Sequence, residues 1–219
     1  MGQKPVIYLI SGQGSDERIF QEIAWNNSEF DVEYIPYKIP NRGEDMESYA
    51  IRMAESIDTS RNFSLVGVSL GGMICTEIAT FLNPEKVLLI SSAKARNELP
   101  FSYRFQHYIP IYAMVPRGIL KAGARIAQPL FEPDRKSHQA VFIAMLKAKD
   151  KTFMKRSIRM IVNWQRTEYP ATIVHIHGDN DHTLPLRLVK ADRIVKNGSH
   201  MMTLTRAQDV SAILNDLLK

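Results

Sequence analysis

The sequence predicts an α/β fold with a mostly parallel, doubly wound sheet and an all-helical insertion. Short apolar runs alternate with segments of helical periodicity in both the first and the last part of the chain. Between residues 95 and 168 the strand-like runs are missing, and helical patterns interrupted by prolines replace them. Alternation of this kind is typical of parallel strands joined by right-handed crossovers. We therefore expect the loops that follow the strands to meet at one edge of the sheet, where ligands bind.

Six apolar segments carry the strand prediction. Most are short, rich in Val, Ile and Leu, and followed by polar or small residues, as buried parallel strands are. The second segment alternates apolar with polar positions and ends before a Pro-Asn-Arg-Gly break. In chain order the predicted strands are residues 5–10, 31–37, 63–66, 86–90, 171–176 and 192–195.

Helices are predicted between these strands. Apolar residues recur at three-and-four spacing over residues 46–57, and a second helix follows the third strand as far as about residue 83. Residues 186–190 are predicted to form a short helical turn. The last helix is predicted to open at Thr205, with Gln208 three residues later completing a capping box. Its buried positions are expected to be Val210, Ile213, Leu214 and Leu217.

The length of 219 residues fits one domain with an insertion. We assign residues 1–94 and 169–219 to the α/β core and residues 95–168 to the helical insertion. The net charge is +5, but residues 94–168 carry 15 Lys/Arg against 5 Asp/Glu. A solvated helical face explains this excess, and so does attraction of anionic substrates or acidic surfaces. Nucleic-acid binding is not expected, because no binding motif accompanies the charge.

Composition also bears on the cellular location. No apolar run approaches the roughly 20 residues of a membrane-spanning helix. The apolar run of residues 6–10 is too short for the core of a signal peptide. A single cysteine, Cys75, is interpreted as a small core residue on the second helix. We therefore expect a cytoplasmic protein without a membrane span.

The motif Gly67-Val68-Ser69-Leu70-Gly71 is the most informative feature of the chain. It follows an apolar strand and precedes a helical pattern, which is the context in which G-x-S-x-G forms a nucleophile elbow. The serine then occupies a tight and strained turn that lifts its hydroxyl above the sheet edge. The helix that begins there directs free backbone N–H groups towards developing negative charge.

A serine nucleophile needs a base, and the base needs a group that orients it. His200 is the candidate base, since it follows the last strand and the turn Asn197-Gly198-Ser199. Asp181 follows the penultimate strand, and its carboxylate could accept the Nδ1 proton of His200. Asp179, two residues earlier, is the alternative acid, although a turn-forming role suits it better. A metal site at His175, His177 and His182 is not expected, because the triad accounts for this loop without a metal.

The chain resembles the α/β-hydrolase superfamily in its compact, helix-capped branch. The resemblance spans nearly the whole chain and is carried by residues 67–72, by Gly178-Asp179-Asn180-Asp181 with Pro185, and by Gly198-Ser199-His200. It implies the triad Ser69, Asp181 and His200 in the family's chain order. It also implies that the acid is Asp181, which stands three residues after the glycine.

The resemblance implies an oxyanion hole made of two backbone N–H groups. Leu70, directly after the nucleophile, would supply one, and Gln13 in the loop after the first strand would supply the other. Relatives usually carry His-Gly in that loop, whereas this chain has Ser11-Gly12. A backbone donor survives this difference, but the geometry of the loop is open.

The insertion at residues 95–168 stands where the family places a helical cap over the nucleophile. Such a cap excludes water and shapes the substrate pocket. Each aromatic or methionine side chain there could instead pack inside the cap. The main pocket candidates are Met73, Met201, Trp164, Phe142 and Met145, and further candidates in the insertion are Phe101, Tyr103, Tyr112 and Met114.

Taken together, these features predict a serine hydrolase of the α/β-hydrolase type that cleaves a small or medium carboxylic ester or thioester. The expected partner is that small molecule, and an anionic one is compatible with the basic insertion. No cofactor and no metal are expected, and the chain could be a monomer or a homodimer. The alternatives are a small-molecule binding or sensing protein on the same scaffold, a lyase or carbon–carbon hydrolase with the same triad, and an interaction protein that docks through residues 94–168.

Overall fold

The computed structural model describes residues 3–115 and 138–219, and within them the core is a six-stranded sheet. Its order is β2-β1-β3-β4-β5-β6, and every neighbouring pair is parallel. The strands are β1 (Val6–Ile10), β2 (Asp31–Tyr34), β3 (Phe63–Val68), β4 (Val87–Ile90), β5 (Ile173–Gly178) and β6 (Arg193–Val195). The predicted parallel α/β sheet is therefore confirmed.

Burial explains which segments became strands. All residues of β1, β3 and β4 are buried, as expected for central parallel strands covered on both faces. The edge strands β2 and β6 are partly exposed. The prediction carried β2 too far. The backbone N–H of Ile35 still donates to the Leu9 carbonyl, but the Ser11 carbonyl beyond it accepts from the Tyr37 hydroxyl instead of from a strand N–H.

The helices lie on both faces of the sheet. They are α1 (Met46–Ala54), α2 (Leu70–Ile78), α3 (Phe101–Gln106), α4 (Ile111–Met114), α5 (Gln139–Ala148), α6 (Lys151–Asn163), α7 (Met202–Thr205) and α8 (Ala207–Leu217), with 3-10 turns at Glu17–Phe20, Arg96–Glu98 and Leu186–Leu188. One apolar cluster packs α1, α2 and α6 on one face, and another packs α8 on the opposite face. Cys75 is buried on α2, where burial raises the pKa of its thiol.

The capping box predicted for the last helix is wrong. Thr205 ends the short helix α7, and Arg206 precedes α8 without a side-chain cap. The Thr205 hydroxyl bonds backward to the Met201 carbonyl instead of forward. The chain after residue 200 first makes a separate turn that buries Met202, which the helical period alone did not reveal. Of the predicted buried positions, Val210 and Leu214 are buried, whereas Ile213 and Leu217 are only partly so.

The described residues between 95 and 168 contain helices and no strand. The backbone N–H of Arg96 donates to the carbonyl of Arg166 at 2.8 Å, so the two ends of this segment lie together beside the sheet. Helix α6 packs against α1, α3 and α4. Within residues 3–115 and 138–219, no helix combines the length and the apolar character needed to cross a membrane.

Candidate active site

Ser69 occupies the sharp turn between β3 and α2. Its backbone has φ 53° and ψ −118°, a region that a residue with a side chain rarely adopts and that costs about 1–3 kcal/mol. Neighbouring groups hold it there. The Ser69 N–H donates to the Ile90 carbonyl at 3.0 Å, and the Ser69 carbonyl accepts from the Ser92 hydroxyl at 2.6 Å. The strained turn is thus supported by the adjacent strand β4 and the loop after it.

The glycines of the motif are required by close backbone approach. A Cβ atom on Gly67 would lie 2.5 Å from the main chain of Gly71. A Cβ atom on Gly71 would lie 2.1 Å from the carbonyl oxygen of Ile10 at the end of β1. Only glycine lets the start of α2 approach the sheet this closely, so the spacing of the motif has a steric cause.

Three side chains from separate loops form a continuous hydrogen-bonded line. The Nε2 atom of His200 lies 3.0 Å from the Ser69 hydroxyl, and its Nδ1 atom lies 2.7 Å from Asp181 Oδ2. Because a carboxylate only accepts, Nδ1 carries the proton and Nε2 is left to accept from the serine. This is the geometry that a serine nucleophile and its base require.

The carboxylate of Asp181 is buried and held by backbone donors. Its Oδ1 atom accepts from the N–H groups of Thr183 at 2.9 Å and Leu184 at 2.7 Å. Burial alone would raise the pKa of Asp181, but the nearby rings of His200 and His177 and these hydrogen bonds outweigh it, and the pKa is lowered. The carboxylate is therefore ionised at neutral pH.

Asp179 has a different contact. Its Oδ1 atom accepts from the backbone N–H of Asn197 at 2.5 Å, which ties the loop after β5 to the loop that carries His200. Asp181, and not Asp179, contacts the imidazole. This arrangement agrees with the turn-forming role that the sequence suggested for Asp179.

The histidines near this loop do not converge on one point. His182 is exposed and bonds Asn180, whereas His175 and His177 are buried side by side. His177 donates from Nε2 to the Leu184 carbonyl at 2.8 Å, and its Nδ1 lies 3.1 Å from His175 Nε2. Burial lowers the pKa of His177, although Asp181 opposes it, and it lowers the pKa of His175 well below the ordinary value of 6.5. Both rings are therefore neutral and brace the loop of Asp181 from beneath.

Acidification is expected to destabilise the protein through this histidine pair. The unfolded chain protonates both rings below about pH 6.5, whereas the lowered pKa values of His175 and His177 keep them neutral in the folded state. Because the unfolded state then binds more protons, the free energy of unfolding falls by up to about 1.4 kcal/mol per pH unit for each ring until its folded pKa is reached. Urea unfolding at several pH values between neutrality and acid measures this slope.

The variant His175→Gln should reduce that slope, because one of the two protons no longer distinguishes the folded from the unfolded state. The matched control is His107→Gln, which removes an exposed histidine far from the pair along the chain. An equal slope in the parent and in His175→Gln would contradict the prediction.

The two backbone donors implied for the oxyanion hole both border the same cavity as Ser69. Leu70 and Gln13 line this cavity, and among the described residues neither backbone N–H has an acceptor. The side chain of Gln13 donates to the Met154 carbonyl at 3.1 Å and to the Ser157 hydroxyl at 2.7 Å, which anchors the loop to α6. Two N–H groups are thus available beside the candidate nucleophile.

Ser11, which stands where relatives usually carry histidine, is fully buried and holds the loop by hydrogen bonds. Its hydroxyl donates to the Ser15 carbonyl at 3.1 Å and lies 3.0 Å from the Tyr34 hydroxyl. The Ser11 carbonyl accepts from the Tyr37 hydroxyl. The loop is therefore closed by a local network that sequence comparison with the family pattern did not suggest.

A cavity of about 760 Å³ opens over Ser69 and His200. Of the five main pocket candidates, three line it: Met73, Phe142 and Met201. Trp164 and Met145 do not appear among its described lining residues, and this part of the prediction needs correction. Both are buried in the apolar clusters, and the Trp164 ring donates to Glu77 at 2.6 Å. The helical pattern indicates that both side chains lie on an apolar face, but only packing decides whether such a side chain faces the core or a cavity.

Of the other aromatic and methionine candidates in the insertion, some line the cavity and some do not. Phe101 and Tyr103 on α3 line the cavity, whereas Tyr112 and Met114 are not among its described lining residues. Further lining residues that the sequence did not suggest come from the same segment, with Leu99, Pro100, Arg104 and Gln106, and from the loop after β5, with Thr183, Leu184, Arg187 and Leu188. The second of these segments directly follows Asp181, and its place at the carboxyl end of a parallel strand was the available signal.

Comparison with protein-family models and with curated proteins finds no match. Solved structures, in contrast, match over the whole chain. MenH from S. aureus superposes with a TM-score of 0.76 at 12% identity, covering 100% of this chain and 94% of that one. The esterase EaEST from Exiguobacterium antarcticum has a TM-score of 0.73 at 15% identity, with coverage of 100% and 94%.

The enol-lactonase from Burkholderia xenovorans LB400 matches with a TM-score of 0.72 at 16% identity, covering 99% of this chain and 92% of that one. At such low identity the likeness establishes the fold and no more. The chain has the α/β-hydrolase fold: a parallel sheet flanked by helices, with the strand–turn–helix at Ser69 in its middle.

Proposed function

We propose that this protein is a serine hydrolase that cleaves a small or medium carboxylic ester or thioester. The observation that carries the proposal is the line from Ser69 through His200 to Asp181, with contacts of 3.0 and 2.7 Å, in the wall of a large cavity. Acyl transfer uses these three groups together: a serine at a helix start as nucleophile, an imidazole that takes its proton, and a buried carboxylate that orients the imidazole.

In the proposed reaction, the Ser69 hydroxyl attacks the substrate carbonyl while His200 Nε2 takes its proton. The tetrahedral oxyanion accepts hydrogen bonds from the backbone N–H groups of Leu70 and Gln13, each worth about 3 kcal/mol of transition-state stabilisation. When the intermediate collapses, His200 returns the proton to the departing alcohol or thiol, and the acyl group stays on Ser69. Water then gives a proton to His200 and attacks the acyl carbon. When this second intermediate collapses, His200 returns the proton to the Ser69 oxygen, and the carboxylic acid is released.

Asp181 acts on this reaction through the imidazole. Its ionised carboxylate fixes the tautomer in which Nε2 faces Ser69, and it stabilises the imidazolium that forms when His200 takes the proton. The backbone donors on its other oxygen keep it in place during both steps.

The size and lining of the cavity support the substrate class. A volume of about 760 Å³ falls within the range of small-molecule sites, and the wall includes two methionines and three Phe or Tyr side chains. We propose that the helices of residues 95–168 act as a cap, since Phe101, Tyr103 and Phe142 from this segment border the same cavity as Ser69. A cap would exclude water from the acyl-enzyme until the hydrolysis step. Similar solved structures include proteins named as an esterase and an enol-lactonase.

Labelling with a fluorophosphonate tests the proposal. We expect rapid modification of Ser69, located by mass spectrometry, because only a serine with an adjacent base attacks phosphorus at neutral pH. The Ser102→Ala variant is the control, since Ser102 lines the same cavity without a histidine at its hydroxyl and its loss should leave labelling intact. Absence of labelling together with tight binding of a small molecule would favour the sensing protein instead.

A further inference from the structure

Two arginines face the cavity over Ser69. Arg104 on α3 and Arg187 in the turn Leu186–Leu188 both line it. Among the described lining residues these are the only Lys or Arg side chains, and no Asp or Glu is present. The described wall of the cavity, which is largely apolar, therefore carries two arginine charges and no carboxylate of its own.

Arg104 enters the cavity from the helical segment. Its Nε atom is buried, and among the described residues it has no hydrogen-bond acceptor. The main chain of Arg104 is well anchored, because its N–H donates to Pro100 at 3.2 Å. Nearby Arg96 differs, since its guanidinium is occupied by the carbonyls of Val162 at 3.0 Å and Trp164 at 2.7 Å. The backbone of Arg104 is thus held in place, while the Nε atom of its guanidinium has no acceptor among the described residues.

Arg187 comes from a different segment, the loop after β5, and is an exposed residue of the cavity wall. Its turn is closed by a hydrogen bond from the Leu188 N–H to the Pro185 carbonyl at 2.9 Å. The same loop is held at Leu184, which bonds both Asp181 and His177. The side chain of Arg187 makes no hydrogen bond or ion pair within residues 3–115 and 138–219. The hydrogen-bonded loop after β5 thus places a second arginine, without a partner among the described residues, in the cavity wall.

Elsewhere in the described chain, four arginines are neutralised by carboxylates, and several others, such as Arg96, donate to backbone carbonyls. The ion pairs with arginine are Arg18–Asp16, Arg52–Glu44, Arg61–Asp31 and Arg166–Glu77, with N–O distances of 2.5–2.7 Å. Among the described residues, neither Arg104 nor Arg187 has a carboxylate partner, and Arg104 is half-buried whereas Arg187 is exposed. A bound oxyanion would supply the missing negative charge, and the planar fork of arginine fits a carboxylate or a phosphoryl group.

We infer that Arg104 and Arg187 form an anion subsite, so that the substrate is an ester or thioester that carries a separate carboxylate or phosphoryl group. The ester part of this inference rests on the function proposed for Ser69. The anion subsite depends only on the two arginines and their place in the cavity wall. It would hold the charged end of the substrate and so present the carbonyl to Ser69.

The test compares esters that differ only in charge. One pair is mono-p-nitrophenyl adipate and its methyl ester, with the charge in the acyl part. A second pair is butanoyloxybenzoate and its methyl ester, with the charge in the alcohol part. We expect kcat/KM for the charged member of at least one pair to exceed that of its neutral partner by about ten- to a hundredfold, as hydrogen bonds to a charged group predict. A p-nitrophenyl ester of a phosphonoalkanoic acid of matched length distinguishes a phosphoryl from a carboxylate preference.

Variants assign the preference to the two arginines. It should fall towards unity in the double variant Arg104→Gln with Arg187→Gln and should also weaken as salt is added. The matched control is Arg193→Gln, because Arg193 is exposed on the edge strand β6 and is not among the described residues that line the cavity, so this variant should keep both the activity and the preference. Thermal melting of each variant shows that the fold is retained.

A binding measurement separates failure of this inference from failure of the proposed hydrolase. Calorimetry on Ser69→Ala protein compares binding of the charged and neutral esters without turnover. If no ester is hydrolysed but the charged members bind selectively through the two arginines, the subsite stands and the hydrolase proposal falls. If the esters are hydrolysed with no preference for charge, or if the preference survives in the double variant, the subsite is overturned.

Discussion

Replacing Ser69 with alanine is expected to lower kcat for ester hydrolysis by about a millionfold, close to the rate left when a whole triad is removed. The hydroxyl at 3.0 Å from His200 is the only nucleophile that the imidazole contacts among the described residues. Without it the reaction must proceed by direct attack of water, assisted only by the backbone donors of Leu70 and Gln13. Steady-state hydrolysis of a short-chain p-nitrophenyl ester measures the loss.

Non-additivity provides the control for this result. If Ser69 and His200 act as one unit, the double variant Ser69→Ala with His200→Ala should be no slower than Ser69→Ala alone. Circular dichroism of each variant verifies that the fold is intact. Turnover of the Ser69→Ala protein at the rate of the parent would remove the proposed mechanism.

Replacing Gly71 with alanine is expected to destabilise the fold by about 3 kcal/mol or more, or to prevent folding. The new Cβ atom would lie 2.1 Å from the carbonyl oxygen of Ile10 and 2.4 Å from that of Ser11. Both are main-chain atoms at the end of a central strand, so neither can move away as the tip of a flexible side chain could. Relief would require α2 or β1 to shift, and either shift would also disturb Ser69 and the loop of Gln13.

The matched control is Gly14→Ala in the loop after β1. There the closest atom to a new Cβ is Leu146 Cδ1 at 3.8 Å, which is an ordinary van der Waals contact. Urea denaturation should show a midpoint close to that of the parent for Gly14→Ala and a large decrease for Gly71→Ala. Equal midpoints for the two variants would contradict the steric explanation of the motif.

Much of the fold was predictable because the central strands are buried on both faces. A run such as residues 86–90 has no polar alternation to confuse the prediction, and the observed strand Val87–Ile90 differs by one residue. Ends of elements were harder, since they depend on neighbours. Strand β2 stops where the Tyr37 hydroxyl, and not a backbone N–H, bonds the Ser11 carbonyl, and the last helix starts after an additional turn at Met202–Thr205.

Some residues of the candidate site were also easier to predict than others. Ser69, Asp181 and His200 were recognisable because each stands in a loop directly after a strand, and parallel strands bring such loops to one edge. The pocket was less predictable, because Trp164 and Met145 have the same apolar character as the residues that line the cavity. Their burial depends on which helix face meets the core.

The sequence by itself determined the parallel α/β architecture and the three side chains that could act together, since strand periodicity and a glycine-flanked serine are local properties of the chain. Tertiary structure alone decided the distances of 3.0 and 2.7 Å between those side chains, the neutral histidine pair beneath Asp181, and the cavity that Arg104 and Arg187 share. These features depend on contacts between segments far apart in the sequence, which packing selects by shape and charge and which no local pattern encodes.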